Sequence, residues 1–394
     1  MLIVLGALST FGPITTDLYL PGLPEVGDEL GVAPSQVQVT LTACLIGLAF
    51  GQAIAGPLSD SLGRRRPLLV GMALFALASL GCAVAPSIVL LDLLRLVQGL
   101  SGAAGIVVAR AVVRDHWSGV GAAKVYATLM GAVSLGPILA PPIGGALLGV
   151  MDWRGLFVVL AGFGLVLLLA CMAWVHESLP PSSRREVGLR ATLRAGRRVL
   201  RDRLFTGYTL ASALAFGALF SYISGSSFVY QDVFGVSAQA YGLLFGLNGI
   251  ALLLGTVSNR RLQDRVGAER LLRAGMLTTL VGSSLVTVSV LADVGLAALV
   301  VSLFITIVGI GFIPSNAVAL ALESHGGADA GTASALIGVL QFLIGAVAAP
   351  FAGIAGASAV PMAVMMLAFA IAALVALRVL VERSGGVEDA SETA

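Results

Sequence analysis

Apolar segments of 18 or more residues recur along the whole chain, and each is long enough, at 1.5 Å rise per residue, to cross a hydrocarbon core of roughly 30 Å. A soluble fold of 394 residues needs a charged surface, yet only 11% of this chain is Asp, Glu, Lys or Arg, and its mean hydropathy is +0.99. The solvent is lipid. A β-barrel also satisfies its backbone in a bilayer, but it needs strands of about ten alternating residues, and Leu156 to Val175 does not alternate. The reading is an all-α polytopic membrane protein.

Charges, prolines and glycines divide the chain into twelve spans, near 2–24, 36–58, 67–85, 87–112, 122–150, 155–176, 204–230, 238–258, 270–291, 295–322, 331–354 and 360–381. The first lacks a basic leader and carries Pro13 and Asp17, so it reads as a retained span rather than a signal peptide, behind a very short or slightly trimmed start. With residue 1 cytoplasmic, only Arg154 of the 23 Lys and Arg falls in an external loop and Arg95 within a span, while Glu25, Asp28, Glu29, Asp152, Asp232 and Asp293 lie outside. This bias places both termini in the cytoplasm.

Residues 177–203 hold eight arginines, with Leu189, Leu193 and Leu200 at loosely helical spacing. A basic amphipathic helix on an anionic inner leaflet accounts for them; nucleic-acid binding does not suit a chain embedded in membrane. The expected organisation is an N-terminal six-helix bundle at 1–176, this linker at 177–203, a C-terminal six-helix bundle at 204–383 and a disordered cytoplasmic tail at 384–394. The halves repeat: Asp60-Ser61-Leu62-Gly63 is matched by Asp264-Arg265-Val266-Gly267 at an offset of 204 residues, and Gly131 by Gly338 within three residues of that offset. Duplicated halves around a midplane site suit a carrier better than a channel or membrane enzyme.

Gly56-Pro57-Leu58-Ser59-Asp60-Ser61-Leu62-Gly63-Arg64-Arg65-Arg66, in the first tight internal loop, resembles the G-x-L-a-D-r-x-G-r-r signature of the major facilitator superfamily. A plain positive-inside turn explains the arginines but not the spacing of Gly56, Asp60 and Gly63. Ser61 departs from the usual basic residue. Arg95 with Gln98-Gly99 resembles the fourth-span motif associated with proton coupling in exporters, and Arg95 lies about 12 Å from the outer end of its span, too deep for simple snorkelling. Gly136-Pro137-Ile138-Leu139-Ala140-Pro141-Pro142-Ile143-Gly144-Gly145 resembles the fifth-span antiporter motif, although a packing kink fits its physics equally well. Asp17-Leu18-Tyr19-Leu20-Pro21-Gly22-Leu23-Pro24 resembles the D-x-Y-L-P-x-L-P segment of the bicyclomycin and chloramphenicol resistance subfamily.

Together these motifs imply a major facilitator fold of two pseudo-symmetric six-helix bundles and drug:proton antiport across the inner membrane. Asp17 and Arg95, at similar depths on antiparallel spans, are expected to form the proton-coupling pair, with Asp60, Arg64 and Arg65 in the conformational-switch loop. Candidate substrate contacts are Tyr19, Gln98, Tyr126, Phe220, Tyr222, Phe245, Asn248, Asn316, Gln341 and Phe342. The partners implied are a small, largely apolar drug-like compound, protons and lipid, for a monomer that binds no nucleic acid; a proton-coupled carrier of an endogenous metabolite is the alternative. A non-transporting receptor gives no reason for a buried acid and Arg at matched depth. His116, His176 and His325 fall at span ends, and Cys44, Cys82 and Cys171 have no metal-ligand spacing. No phosphate cradle, metal pair or nucleophile elbow is present in the sequence, so neither an enzyme, a metal nor a cofactor is expected and energy is expected from an ion gradient, which the resemblance implies is one of protons.

Overall fold

The computed structural model describes residues 1–184, 196–323, 330–353, 356 and 358–382. The linker arginines Arg185, Arg190 and Arg194, His325 and the tail at 384–394 lie outside these, as does the middle, 185–195, of the amphipathic helix expected at 177–203. The helices are α1 (Leu2–Ser9), α2 (Phe11–Asp17), α3 (Leu23–Leu30), α4 (Pro34–Leu62), α5 (Arg65–Ala83), α6 (Ile88–His116), α7 (Gly119–Leu147) and α8 (Trp153–Trp174). They continue as α9 (Arg203–Phe228), α10 (Ala238–Val266), α11 (Ala268–Leu291), α12 (Leu296–Gly311), α13 (Ile313–Leu322), α14 (Ala330–Phe351) and α15 (Val360–Leu377). Among the described residues, 11 helices are long and apolar enough to cross a membrane, or 12 with the bent first span counted as one.

That first span is not a continuous helix. It bends by 45° between Ser9 and Phe11, because Pro13 has no N–H to offer the Ser9 carbonyl. Its helix ends again at Asp17, where Pro21 withholds the next bond, and a 3₁₀ turn at Leu20–Gly22 leads into α3. The span expected at 295–322 is likewise split into α12 and α13 at Phe312, two residues before Pro314.

The chain forms two compact units, one of 1–188 with 227–249, the other of 189–226 with 250–394. In the first, Phe11 meets Phe75 edge-on at 4.6 Å, and Trp153, Phe157 and Tyr19 bury a second aromatic cluster. Arg154 is held by Glu29 and by the Ala83 and Ala85 carbonyls, orphans at the end of α5. In the second, Phe205, Leu272, Met276, Ile313, Ile337 and Leu377 share a buried core.

The repeat is visible in the backbone. Helices α4 and α10 are both 29 residues long and begin and end 204 residues apart. The glycines that follow α4 and α10 have φ +92° and +84°, a left-handed geometry that costs a side chain strain. Gly71 faces the Ser101 carbonyl and Gly275 the Gly309 carbonyl, each so that an added Cβ would sit 2.9 Å from the oxygen. The repeat therefore supplies the scaffold.

Candidate functional site

What the repeat does not copy is the chemistry. At the offset of 204 residues, Asp17, Arg95 and Gln98 correspond to Ser221, Leu299 and Ser302, and among the described residues only the first unit buries an acid and an arginine in its spans, Asp17 on α2 and Arg95 on α6.

Arg95 is fully buried on α6. Its Nη1 donates to the Thr15 carbonyl at 3.0 Å and to Gln98 Oε1 at 2.6 Å, and Gln98 Nε2 donates onward to Ser79 Oγ at 2.7 Å. The guanidinium lies over the rings of Tyr19 at 5.1 Å and Phe157 at 5.6 Å, which gives the cation a second source of stabilisation away from water. Thr15 is available because α2 ends two residues later, so its carbonyl falls outside a continued helix. Arg95 Nε and Nη2 find no hydrogen-bond partner among the described residues. A buried guanidinium with idle donors is costly and ready to accept an anion.

Asp17 is buried nearby, but it does not pair with Arg95. Its Oδ1 lies 2.7 Å from Thr16 Oγ1, whose hydroxyl is also 3.0 Å from the Gly12 carbonyl and 3.4 Å from the Pro13 carbonyl: one proton serves three acceptors. Arg95 instead contacts the backbone of the Asp17 segment, because unwinding beyond Asp17 turns the Thr15 carbonyl toward it. Asp92, one turn from Arg95 on α6, is the carboxylate that shares its electrostatic field, and Asp92 Oδ1 is buried without a hydrogen-bond partner among the described residues.

The ten candidate contact residues divide equally between the units. Tyr19 and Gln98 belong to the Arg95 cluster rather than to an open wall. Tyr126 donates to the Arg110 carbonyl, Phe245 meets Tyr241 at 6.0 Å, and Asn248 is buried beside Tyr230. In the second unit Phe216 joins Phe220 at 4.8 Å and Phe342 at 5.7 Å, Gln341 donates to Ser212, and Tyr222 is buried. Asn316 donates to Asn259 at 2.6 Å and to the Phe312 carbonyl at the break between α12 and α13.

The proline-rich end of α7 lies where glycines permit contact. Gly136 faces Pro13, Gly144 meets the Leu18 carbonyl, and Gly145 and Gly242 approach the Ala238 and Pro141 carbonyls so closely that a Cβ on either would sit 2.5 Å from the oxygen. Pro137, Pro141 and Pro142 remain inside the helix. The motif therefore touches the bent first span directly.

At the Asp60 loop, Arg64 is buried between Asp60 and Asp115, with Arg64 Nε 2.9 Å from Asp115 Oδ2, and also donates to Ser59. Burial lowers the pKa of this guanidinium, but the two carboxylates outweigh it and hold it above its ordinary value. Arg65 donates instead to the Met172 carbonyl. Gly56 lies one turn before Asp60, and Gly63 has a positive φ and also leaves no room for a Cβ, which would collide with the Glu177 carboxylate. That carboxylate accepts from the N–H groups of Arg64 at 2.8 Å, Arg65 at 3.3 Å and Leu179 at 3.0 Å. Burial raises the Glu177 pKa, and these donors more than reverse the effect, leaving it below the usual glutamate value. Asp115 and Glu177 escaped the sequence reading; their signal was an acid among basic residues at the ends of two spans. Glu177→Ala should free the loop and lower the apparent stability by about 1 kcal/mol, the scale of one net hydrogen bond, with a measurable drop in Tm; an unchanged Tm assigns the loop's order to Arg64 alone.

Comparison with known proteins accords with this geometry. Residues 5–350 match the Major Facilitator Superfamily family. The chain belongs to the major facilitator superfamily. It is 39% identical over 370 residues to the uncharacterized MFS-type transporter YdgK of Bacillus subtilis (strain 168), covering 93% of this chain and 92% of that one. It is 32% identical over 346 residues to the bicyclomycin resistance protein homolog of Haemophilus influenzae, covering 88% and 87%. Within the superfamily it groups with the bicyclomycin resistance proteins its motifs resemble. The crystal structure of nucleoside transporter NupG superposes with TM-score 0.75 at 12% identity, covering 95% of this chain and 97% of that one, a likeness of fold. The chain is a multi-pass membrane transporter of the major facilitator fold, not an enzyme.

Proposed function

We propose that this transporter exports small, largely apolar drug-like compounds from the cytoplasm in exchange for protons, as a monomer in the inner membrane with both termini cytoplasmic. The single observation that carries the reading is the buried Asp17 and Arg95 constellation, present in the first repeat and absent from the second. A permanent cation and an acid placed in lipid-depth surroundings are retained for a reason, and reversible protonation beside an under-bonded guanidinium supplies one. The bicyclomycin resistance and multidrug names of its relatives support the substrate class. The bundles at 1–176 and 204–383 act as the rocking bodies joined by the basic connection at 177–203.

The test is accumulation of a panel of phenicol- and bicyclomycin-like compounds in cells with and without the protein. The expected result is lower accumulation that a protonophore abolishes. Reduced accumulation that survives the protonophore overturns proton coupling; protein-dependent transport of a metabolite, with no drug in the panel moved, overturns the substrate class.

A further inference from the structure

The two prolines of the Asp17-Leu18-Tyr19-Leu20-Pro21-Gly22-Leu23-Pro24 segment remove specific hydrogen bonds. Continuing a helix through it would require the Leu20 carbonyl to accept from residue 24, which is proline and has no N–H. The Leu20 carbonyl is fully buried with its residue, so water does not satisfy it. Within the 3₁₀ turn it accepts from the Leu23 N–H, and a second donor comes from elsewhere in the chain: Ser227 Oγ, on the last turn of α9, donates to it at 2.6 Å. Four residues on, Gln231 Nε2 donates to the adjacent Pro21 carbonyl at 3.0 Å and to Ser227 Oγ at 2.8 Å. These two side chains, four residues apart, are same-face neighbours at the end of α9, where the helix widens into a π-helical turn, Val229–Val233, a form often found at functional sites. Ser227 is buried and Gln231 half-buried, so the pair runs from the interior toward the surface.

We propose that Ser227 and Gln231 are positioning residues that latch the broken backbone of the first span, holding the turn that carries Asp17 and Tyr19 closed against the face opposite the termini. The latch is reversible by construction. Both acceptors are backbone carbonyls, which water satisfies equally well once that face opens, so release costs little beyond the bonds themselves. Side chains doing the holding lie outside the first span, so motion of the end of α9 is transmitted to the Asp17 segment through two hydrogen bonds rather than through general packing. The inference rests on the chain's being a transporter and not on proton coupling.

The test uses the full chain in intact cells, with Cys44, Cys82 and Cys171 replaced by alanine and Leu18→Cys as reporter, labelled by a membrane-impermeant maleimide from outside. Ser227→Ala with Gln231→Ala is expected to label about fivefold faster or more, the factor that loss of one net hydrogen bond gives. Ser227→Thr, which keeps the hydroxyl, should label at the parent rate. The proposal is overturned if the double variant labels at the parent rate with an unchanged Tm, or if Ser227→Thr labels as fast as Ser227→Ala. Should the double variant fail to fold, Gln231→Ala at its half-buried site decides alone: faster labelling supports the latch and parent-rate labelling overturns it. A protonophore leaves the ranking of these rates intact if the latch is correct and proton coupling is not, which separates the two readings.

Discussion

Asp17→Asn is expected to bind drug near wild-type affinity and to lose export driven by a pH gradient, by at least about tenfold, the scale on which a buried ionisable group biases a conformational equilibrium. The argument starts from one proton. Thr16 has a single hydroxyl hydrogen and three acceptors, Asp17 Oδ1 and the Gly12 and Pro13 carbonyls. When Asp17 is neutral, its own O–H can donate to Thr16, and Thr16 remains bonded to Gly12. When Asp17 is ionised it is acceptor-only and must draw the Thr16 proton away from the helix backbone. Arg95 stands beside this exchange with Nε and Nη2 idle, tied to the segment through Thr15. Loss of the Asp17 proton therefore gives Arg95 a reason to trade the Thr15 carbonyl for a carboxylate, which moves the turn. Asparagine keeps the size and a donor but never acquires the charge, so it holds the neutral arrangement throughout. Drug-binding titrations at several pH values, paired with flux into vesicles under an imposed pH gradient, read both quantities. Full pH-dependent export by Asp17→Asn removes Asp17 from the coupling role; loss of binding along with export assigns it to the substrate site instead.

The twelve spans were legible because lipid leaves helices little choice and charge marks their ends. The repeat was legible from Asp60 and Asp264, since a tight loop after α4 and α10 needs the same glycine. What one sequence could not give was the consequence of each proline. Pro13, Pro21, Pro24 and Pro314 were visible, but which carbonyl each one frees, and which distant donor answers it, depends on neighbours far along the chain. Hence Arg95 and Asp17 were legible as an acid and an arginine within spans, yet their connection runs through the Thr15 carbonyl. Glu177 was missed for the same reason: its partners are backbone N–H groups more than a hundred residues away, and backbone has no sequence signature. The aromatic candidates were chosen by residue type alone, and Tyr19 and Gln98 show the limit of that choice, because a polar or aromatic residue in a span serves a buried cation as readily as a ligand.

Gly99→Val is expected to destabilise the protein by about 3 kcal/mol or more, at the upper end of what overpacking costs, because its neighbour is backbone and cannot rotate away. Helices α4 and α6 cross with glycine against carbonyl on both sides. A Cβ on Gly99 would overlap the Cys44 carbonyl oxygen, and one on Gly47 the Leu96 carbonyl oxygen. Small residues at such crossings let helices approach in a solvent that offers no hydrophobic drive for association. Separating α4 from α6 would also carry Arg95 and Gln98 away from Ser79 and Thr15, so export should fail even where the variant is inserted. Thermal unfolding in detergent measures the effect. Gly162→Ala on α8 is the control: nothing lies within 4 Å of its added Cβ, and alanine favours helix, so its Tm should hold or rise slightly. The repeat supplies a second and independent arm, since Gly255 meets the Val308 carbonyl in the same way in the other unit, far from Asp17 and Arg95 in sequence. Gly255→Val should therefore lower Tm as Gly99→Val does. If Gly99→Val instead melts with the parent while Gly255→Val does not, the α4 and α6 crossing is looser than the glycine contacts require, and close packing is not what holds Arg95 in place.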